Sequence, residues 1–217
     1  MKEDVLEQIV DDYLQFKGYF TTHNVRFRPD SKHPDYVAGQ DLTTSDVDVV
    51  GYPSSGVDRV VVVTCKAWQR GFNPTTELTA LRKGGTSHGK KAWHHFRELW
   101  IPKWNQAFQS AIEKLTGEST FTYRIAVTRL RGNGTAHAWA QDPTIKANLG
   151  GCSFSFLTLE EMWATMLAEL TTMPAASELG RLAQLLKAAG LTAPTVVAPP
   201  STPAPGSDAA IVEELEN

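Results

Sequence analysis

The chain has 217 residues, 41% hydrophobic and 21% charged, with a formal net charge of -3, which is enough for one full hydrophobic core and too even a composition for a disordered or disulfide-stapled protein. No apolar run approaches the roughly 20 residues that a membrane-spanning helix requires, and the acidic start Met1-Lys2-Glu3-Asp4 is unlike a secretory signal. With Cys65 and Cys152 as its two cysteines, the chain suits a reducing compartment, and a cytoplasmic protein without a membrane partner is expected.

From Glu3 to Lys17, the residues Val5, Leu6, Ile9, Val10, Tyr13 and Phe16 fall on one helical arc, and Gly18 supplies a stop. Tyr19 to Phe27 alternates loosely as a strand, and Arg28 to Thr44, rich in Pro, Asp, Gly and Ser, reads as a long loop of the kind that often carries function. Ser45 to Tyr52 predicts a second strand, joined through Pro53-Ser54-Ser55-Gly56 to a third over Arg59 to Ala67. The four consecutive valines Val60 to Val63 imply burial on both faces, as in a central strand covered by helices.

Thr86 to about Thr116 has a helical pattern that Pro102 divides. Phe121 to Leu130 and Cys152 to Leu157 read as strands, with an undecided segment around Ala136 to Ala140. Thr158-Leu159-Glu160-Glu161 is a capping box opening a helix to Leu170, and Glu178 to Ala189 forms a last helix closed by Gly190. Composition then turns to Pro, Ala and Thr, so the expected organisation is one domain over 1–190, a linker over 191–207 and a short acidic tail over 208–217.

The chemistry concentrates at the predicted hairpin. In a strand, alternate residues share a face, so Asp46 and Asp48 point one way and Val47 and Val49 the other. By the same period Thr64 and Lys66 lie together at the end of the valine strand, with Cys65 turned toward the core. Asp48 and Lys66 can then meet. A carboxylate beside a lysine suits phosphodiester hydrolysis: the carboxylate anchors a hard cation such as Mg²⁺ or Mn²⁺, and the ammonium stabilises developing charge. Glu7, about 20° from Leu14 on the helical wheel, offers a third group at the margin of the apolar arc. Plainer readings stand beside these. Lys66 alone could be a strand-ending lysine whose head snorkels to water, Glu7 a solvated helix acid, Asp46 a surface acid and Thr64 an ordinary β-branched strand residue.

A first helix bearing Glu7, a strand ending in Asp48, a hairpin into an apolar strand ending Thr64-Cys65-Lys66-Ala67-Trp68, and a following helix and strand together resemble the PD-(D/E)XK nuclease superfamily. The resemblance is nearest to its Mrr-like and Holliday-junction-resolvase-like branches and covers roughly residues 3 to 170. It implies an α/β, restriction-endonuclease-like three-layer core with a mixed central sheet flanked by helices. It also implies a Mg²⁺- or Mn²⁺-dependent endonuclease acting on DNA in restriction, defence or DNA processing. Asp48, Lys66, Glu7 and Thr64 take the catalytic positions, with Asp48, Glu7 and Asp46 as metal ligands. Thr64 departs from the pattern, because that position usually holds Asp or Glu and a hydroxyl brings no charge.

Between Arg82 and Lys103 the chain carries an excess of five positive charges with tryptophans interleaved. Lys83, Lys90, Lys91, His94 and Arg97 are therefore the expected contacts to a phosphate backbone, and Arg129 and Arg131 form a second basic pair. The alternative from another class is a catalytically degenerate nuclease fold that binds DNA or a partner protein without cutting. The tail over 208–217 is a candidate docking peptide for such a partner, and double-strand cutting by a one-site nuclease would call for a homodimer.

Overall fold

The structure, a computed structural model, describes residues 4–54, 59–171, 173 and 175–191. The linker and tail assigned beyond Leu191, and Ser55 and Gly56 of the predicted turn, lie outside the described residues. Helix α1 (Val5–Phe16) opens the chain, with the Asp4 carboxylate accepting from Leu6 N at its start and Gly18 at φ +82° ending it. It leads into β1 (Tyr19–Phe27), a short helix α2 (Ala38–Asp41), β2 (Ser45–Pro53) and β3 (Val61–Lys66).

Helix α3 (Pro74–Arg82), a small hairpin of β4 (Thr86–Ser87) and β5 (Lys90–Lys91), and a single 3₁₀ turn (Ala92–His95) come next, before α4 (Arg97–Trp100) and α5 (Pro102–Thr116). The chain closes with β6 (Thr122–Val127), α6 (Ala136–Ala140), α7 (Pro143–Leu149), β7 (Ser153–Thr158), α8 (Leu159–Glu169) and α9 (Glu178–Ala188).

Five strands form one mixed sheet in the order β1-β2-β3-β6-β7. The first three run as an antiparallel meander, and β6 and β7 join parallel to β3 and to each other. Helices cover both faces. On one, α1 and α8 bring Leu6, Val10, Leu14, Met162 and Met166 onto Val49, Val61 and Val63. On the other, Trp104, Phe108 and Ile112 of α5, with Trp139 and Ile145, pack on Val50, Val62 and Ile125. This is a three-layer α/β fold, and the valine run sits where its composition put it: Val60 to Val63 are at most 5% exposed, in a strand with neighbours on both edges.

Four local expectations are corrected. Val5 is 62% exposed rather than on the buried arc of α1. Thr86 to Lys91 forms a β-hairpin, not the start of a helix, because His88 and Gly89 both take positive φ and close a tight turn. The long loop contains α2 and is pinned rather than loose: Asp41 takes Val37 N, Trp104 Nε1 and the Lys103 ammonium onto its carboxylate. Finally, Val47 and Val49 fall in different halves of the core. Strand alternation breaks between them beside Asn24, which takes φ +52° and is skipped together with Asp48 in an otherwise regular β1–β2 ladder.

Candidate active site

The break in alternation is where the site forms. Strands β2 and β3 pair only at Val49–Val63, Val50–Val62 and Gly51–Val61, while β3 stays paired with β6 as far as Lys66–Val127. Past Val49 the backbone of β2 no longer receives the amides of β3. The Cys65 N–H donates instead to Asp48 Oδ2 at 2.5 Å. The Thr64 hydroxyl donates to the same oxygen at 3.1 Å, and Lys66 Nζ donates to Thr64 Oγ1 at 3.3 Å. Asp48 and Lys66 do meet, through Thr64, and Asp48 lies inside β2 rather than at its end.

The electrostatics are those of a carboxylate held against its preference. Burial pushes the Asp48 carboxyl above its ordinary range and the Asp46 charge adds to this, while Lys66, the Cys65 N–H and the Thr64 hydroxyl oppose it. Glu7, half-buried on α1, is pushed the same way by burial and then by Asp48, Asp4 and Asp46. Glu7, Asp46 and Asp48 therefore repel one another, the condition that a divalent cation relieves. Cys65, which packs against the core on the α1 side, has its thiol pushed well up by burial, which keeps it protonated.

Among the described residues no group of three or more His, Cys, Asp or Glu side chains is placed to hold a metal ion. The trio Asp48, Glu7 and Asp46 is therefore not assembled as a cage. The donor set still fits a hard cation in reduced form. Mg²⁺ keeps several waters and takes one or two carboxylates, and both hydrogen bonds to Asp48 fall on Oδ2, so Oδ1 takes neither of them.

The basic segment divides. Lys83 caps α3, Lys90 and Lys91 stand exposed on the hairpin, and the Lys91 ammonium donates to Gly84 O at 3.1 Å. The hairpin is moored to the site by His88, whose ring stacks on Trp68, two residues past Lys66, at 3.6 Å between centroids. His94 and Arg97 do other work. His94 stacks on Trp93 at 3.7 Å, and the Arg97 guanidinium is half-buried, 4.8 Å from the Trp104 ring centre and 2.8 Å from His94 Nδ1.

Sequence reasoning missed two placements. One is Arg70, which the fold sets beside the basic pair Arg129 and Arg131 at the C-terminal ends of β3 and β6, all three exposed. Arg131 donates to Arg70 O at 3.3 Å, and Gly71 at φ +82° lets Arg129 approach, since a Cβ there would lie 2.6 Å from Arg129 Cγ. The Phe72–Leu130 bridge that joins these turns has no local signature. The other is Glu98, buried in α4, whose Oε1 accepts from the Tyr123 hydroxyl at 2.5 Å; its single signal was being the only acid in a basic stretch.

No protein-family model, characterised protein or solved structure matches this chain. Among the described residues no helix is long and apolar enough to cross a membrane.

Proposed function

We propose that this protein is a metal-dependent nuclease that hydrolyses DNA phosphodiester bonds, built on the PD-(D/E)XK plan that its sequence resembles. The observation that carries the reading is the hydrogen-bonded run Asp48–Thr64–Lys66 at the point where β2 and β3 part, with Glu7 facing it from α1. A bound Mg²⁺ or Mn²⁺ would be held by Asp48 with Glu7 beside it, and would polarise the phosphate and make a water acidic enough to attack. Lys66, held on the Thr64 hydroxyl, presents its ammonium to the charge that develops on the phosphate oxygens. Asp48, hydrogen-bonded through Oδ2, is fixed in orientation by the backbone of β3 rather than by a flexible partner. The exposed arginines at 70, 129 and 131 and the exposed hairpin lysines Lys90 and Lys91 provide positive charge for a nucleic-acid backbone.

Cleavage of supercoiled and branched DNA with Mg²⁺ or Mn²⁺, wild type against Lys66→Ala, tests the reading. Cutting that needs both the metal and Lys66 is the expected result. A second reading, a nuclease fold that binds DNA without cutting it, is favoured by the neutral Thr64 and by the absence among the described residues of a three-ligand metal group. Salt-sensitive DNA binding by both proteins with no cutting by either would establish it.

A further inference from the structure

Trp68, two residues past the end of β3, belongs to a set of stacked rings that runs from the core to the surface. Wholly buried Phe72 lies nearly parallel to it, at 5.5 Å between centroids and 20°. His88, from the tip of the β4–β5 hairpin, stacks on it at 3.6 Å and 27°. At that separation the overlap is nearly complete, so Trp68 covers one face of the imidazole. The 41% of the His88 side chain that stays exposed therefore lies on its opposite face and rim. The hairpin holds the ring there: His95 Nε2 is 3.0 Å from Ser87 O, and Ala92 N donates to Gly85 O at 3.0 Å. His88 itself takes φ +47°, uncommon for a residue with a Cβ. A Cβ on the adjoining Gly89 would meet nothing within 4 Å, so the tip is open to a ligand.

We propose that His88 is a stacking platform for an unpaired base, and that the hairpin binds single-stranded DNA. The proposal rests on the nuclease reading and deepens it by naming the substrate, a strand with unstacked bases such as a branch, gap or end offers. An exposed ring backed by an indole is a rigid surface of the right size, and every base has a π-face to lay on it. The charges around the ring separate the two parts of a nucleotide. Glu77 Oε1, on a side chain 6% exposed, lies 3.7 Å from His88 Nε2, and its buried Oε2 accepts no hydrogen bond. A carboxylate so placed repels a phosphate and leaves the ring to a neutral base. The phosphates fall to Lys90 and Lys91, exposed on β5; Lys91 gives one ammonium N–H to Gly84 O and has others to offer. Cations beside an aromatic face are what single strands are generally held by. In a duplex the base faces are hidden in the stack, and the platform has nothing to take.

The test compares labelled oligothymidylate with an abasic oligomer of the same length and charge, by fluorescence anisotropy in EDTA so that nothing is cut. Oligothymidylate should bind about 5- to 100-fold more tightly, the range that one stacked base supplies, and equal affinities overturn the proposal. His88→Asn removes the ring while keeping a residue that tolerates positive φ. It should lose most of the preference for oligothymidylate, and a preference kept in full overturns the proposal. A further readout needs no variant: an oligothymidylate carrying 5-iodouracil is photo-cross-linked to the wild-type protein and the adduct mapped by mass spectrometry. The adduct is expected on His88, and one confined to other rings overturns the proposal. None of these readouts depends on cleavage. A protein that prefers oligothymidylate yet cuts no DNA sinks the nuclease reading alone. One that cuts DNA through Lys66 but binds the abasic oligomer equally well sinks the stacking platform alone.

Discussion

Two aspartate–lysine pairs in this protein have the same chemistry and opposite treatment. Asp41 and Lys103 close on each other at 2.6 Å, with side chains 1% and 11% exposed. The carboxylate also receives Val37 N and Trp104 Nε1. Burial alone would raise its pKa, but the Lys103 hydrogen bond, the Val37 amide, the Lys103 charge and the indole outweigh it and hold Asp41 below its ordinary value. Asp48 and Lys66 are instead held apart by a hydroxyl, with two acids nearby, and the Asp48 carboxyl sits above its ordinary value. A saturated pair has nothing left to offer a ligand and serves as a clasp, here fastening the loop over residues 28–44 to α5. A strained, incompletely partnered pair is poised for one.

The largest expected effect breaks the clasp. Asp41→Ala leaves the Trp104 indole buried without its acceptor and the Lys103 ammonium with the Asp35 carbonyl but no counter-charge, and should cost roughly 3–5 kcal/mol in denaturant unfolding. Asp48→Asn should cost no stability in the same assay, because the fold disfavours the charge it removes, while cleavage per folded molecule falls about 100- to 1,000-fold. A variant pair with these two outcomes exchanged would sink the division between clasp and site.

The pH dependence sharpens the contrast, because the two shifts have opposite sign. Asp41 has a folded pKa below its ordinary 3.8, so its stabilisation is complete above that value and is lost as pH falls through the folded pKa. The stability advantage of the wild type over Asp41→Asn should therefore shrink on acidification below about pH 4. Asp48 has a folded pKa above 3.8, so its contribution is most favourable below that value and is lost as pH rises through the folded pKa. Asp48→Asn should then gain on the wild type from mildly acidic to neutral pH. Urea titrations at stepped pH read both.

The smallest effect concerns the open side of the second pair. Replacing Arg70, Arg129 and Arg131 with alanine should weaken DNA binding and flatten its dependence on the logarithm of salt by about 0.9 for each phosphate no longer neutralised. Replacing Arg97, wedged between Trp93 and Trp104, should lower the melting temperature and leave that slope alone. Fluorescence anisotropy at four salt concentrations separates the two.

Much of the fold was legible because it is local. The valine run of β3 and the Thr158–Glu161 capping box each write their conformation within a few residues. Asp48 and Lys66 were legible for the same reason, since a hairpin brings its own strands together. Less readable were short elements whose shape is set by a partner. The hairpin over residues 86–91 exists with its His88 tip against Trp68, and α6 and α7 depend on caps from Thr135 and Asp142 beside an aromatic core.

By itself, then, the amino-acid order determined the strands of the central sheet and the longer helices α1, α5, α8 and α9, and that an acid and a lysine flank the hairpin. Only the tertiary structure decided what those groups face. Tyr123 reaches Glu98 across 25 positions and Asp41 reaches Trp104 across 63, through the parallel placement of β6 and the fastening of a loop to α5. A side chain's burial and charge partners are properties of such long-range packing, and no periodicity within one segment records them.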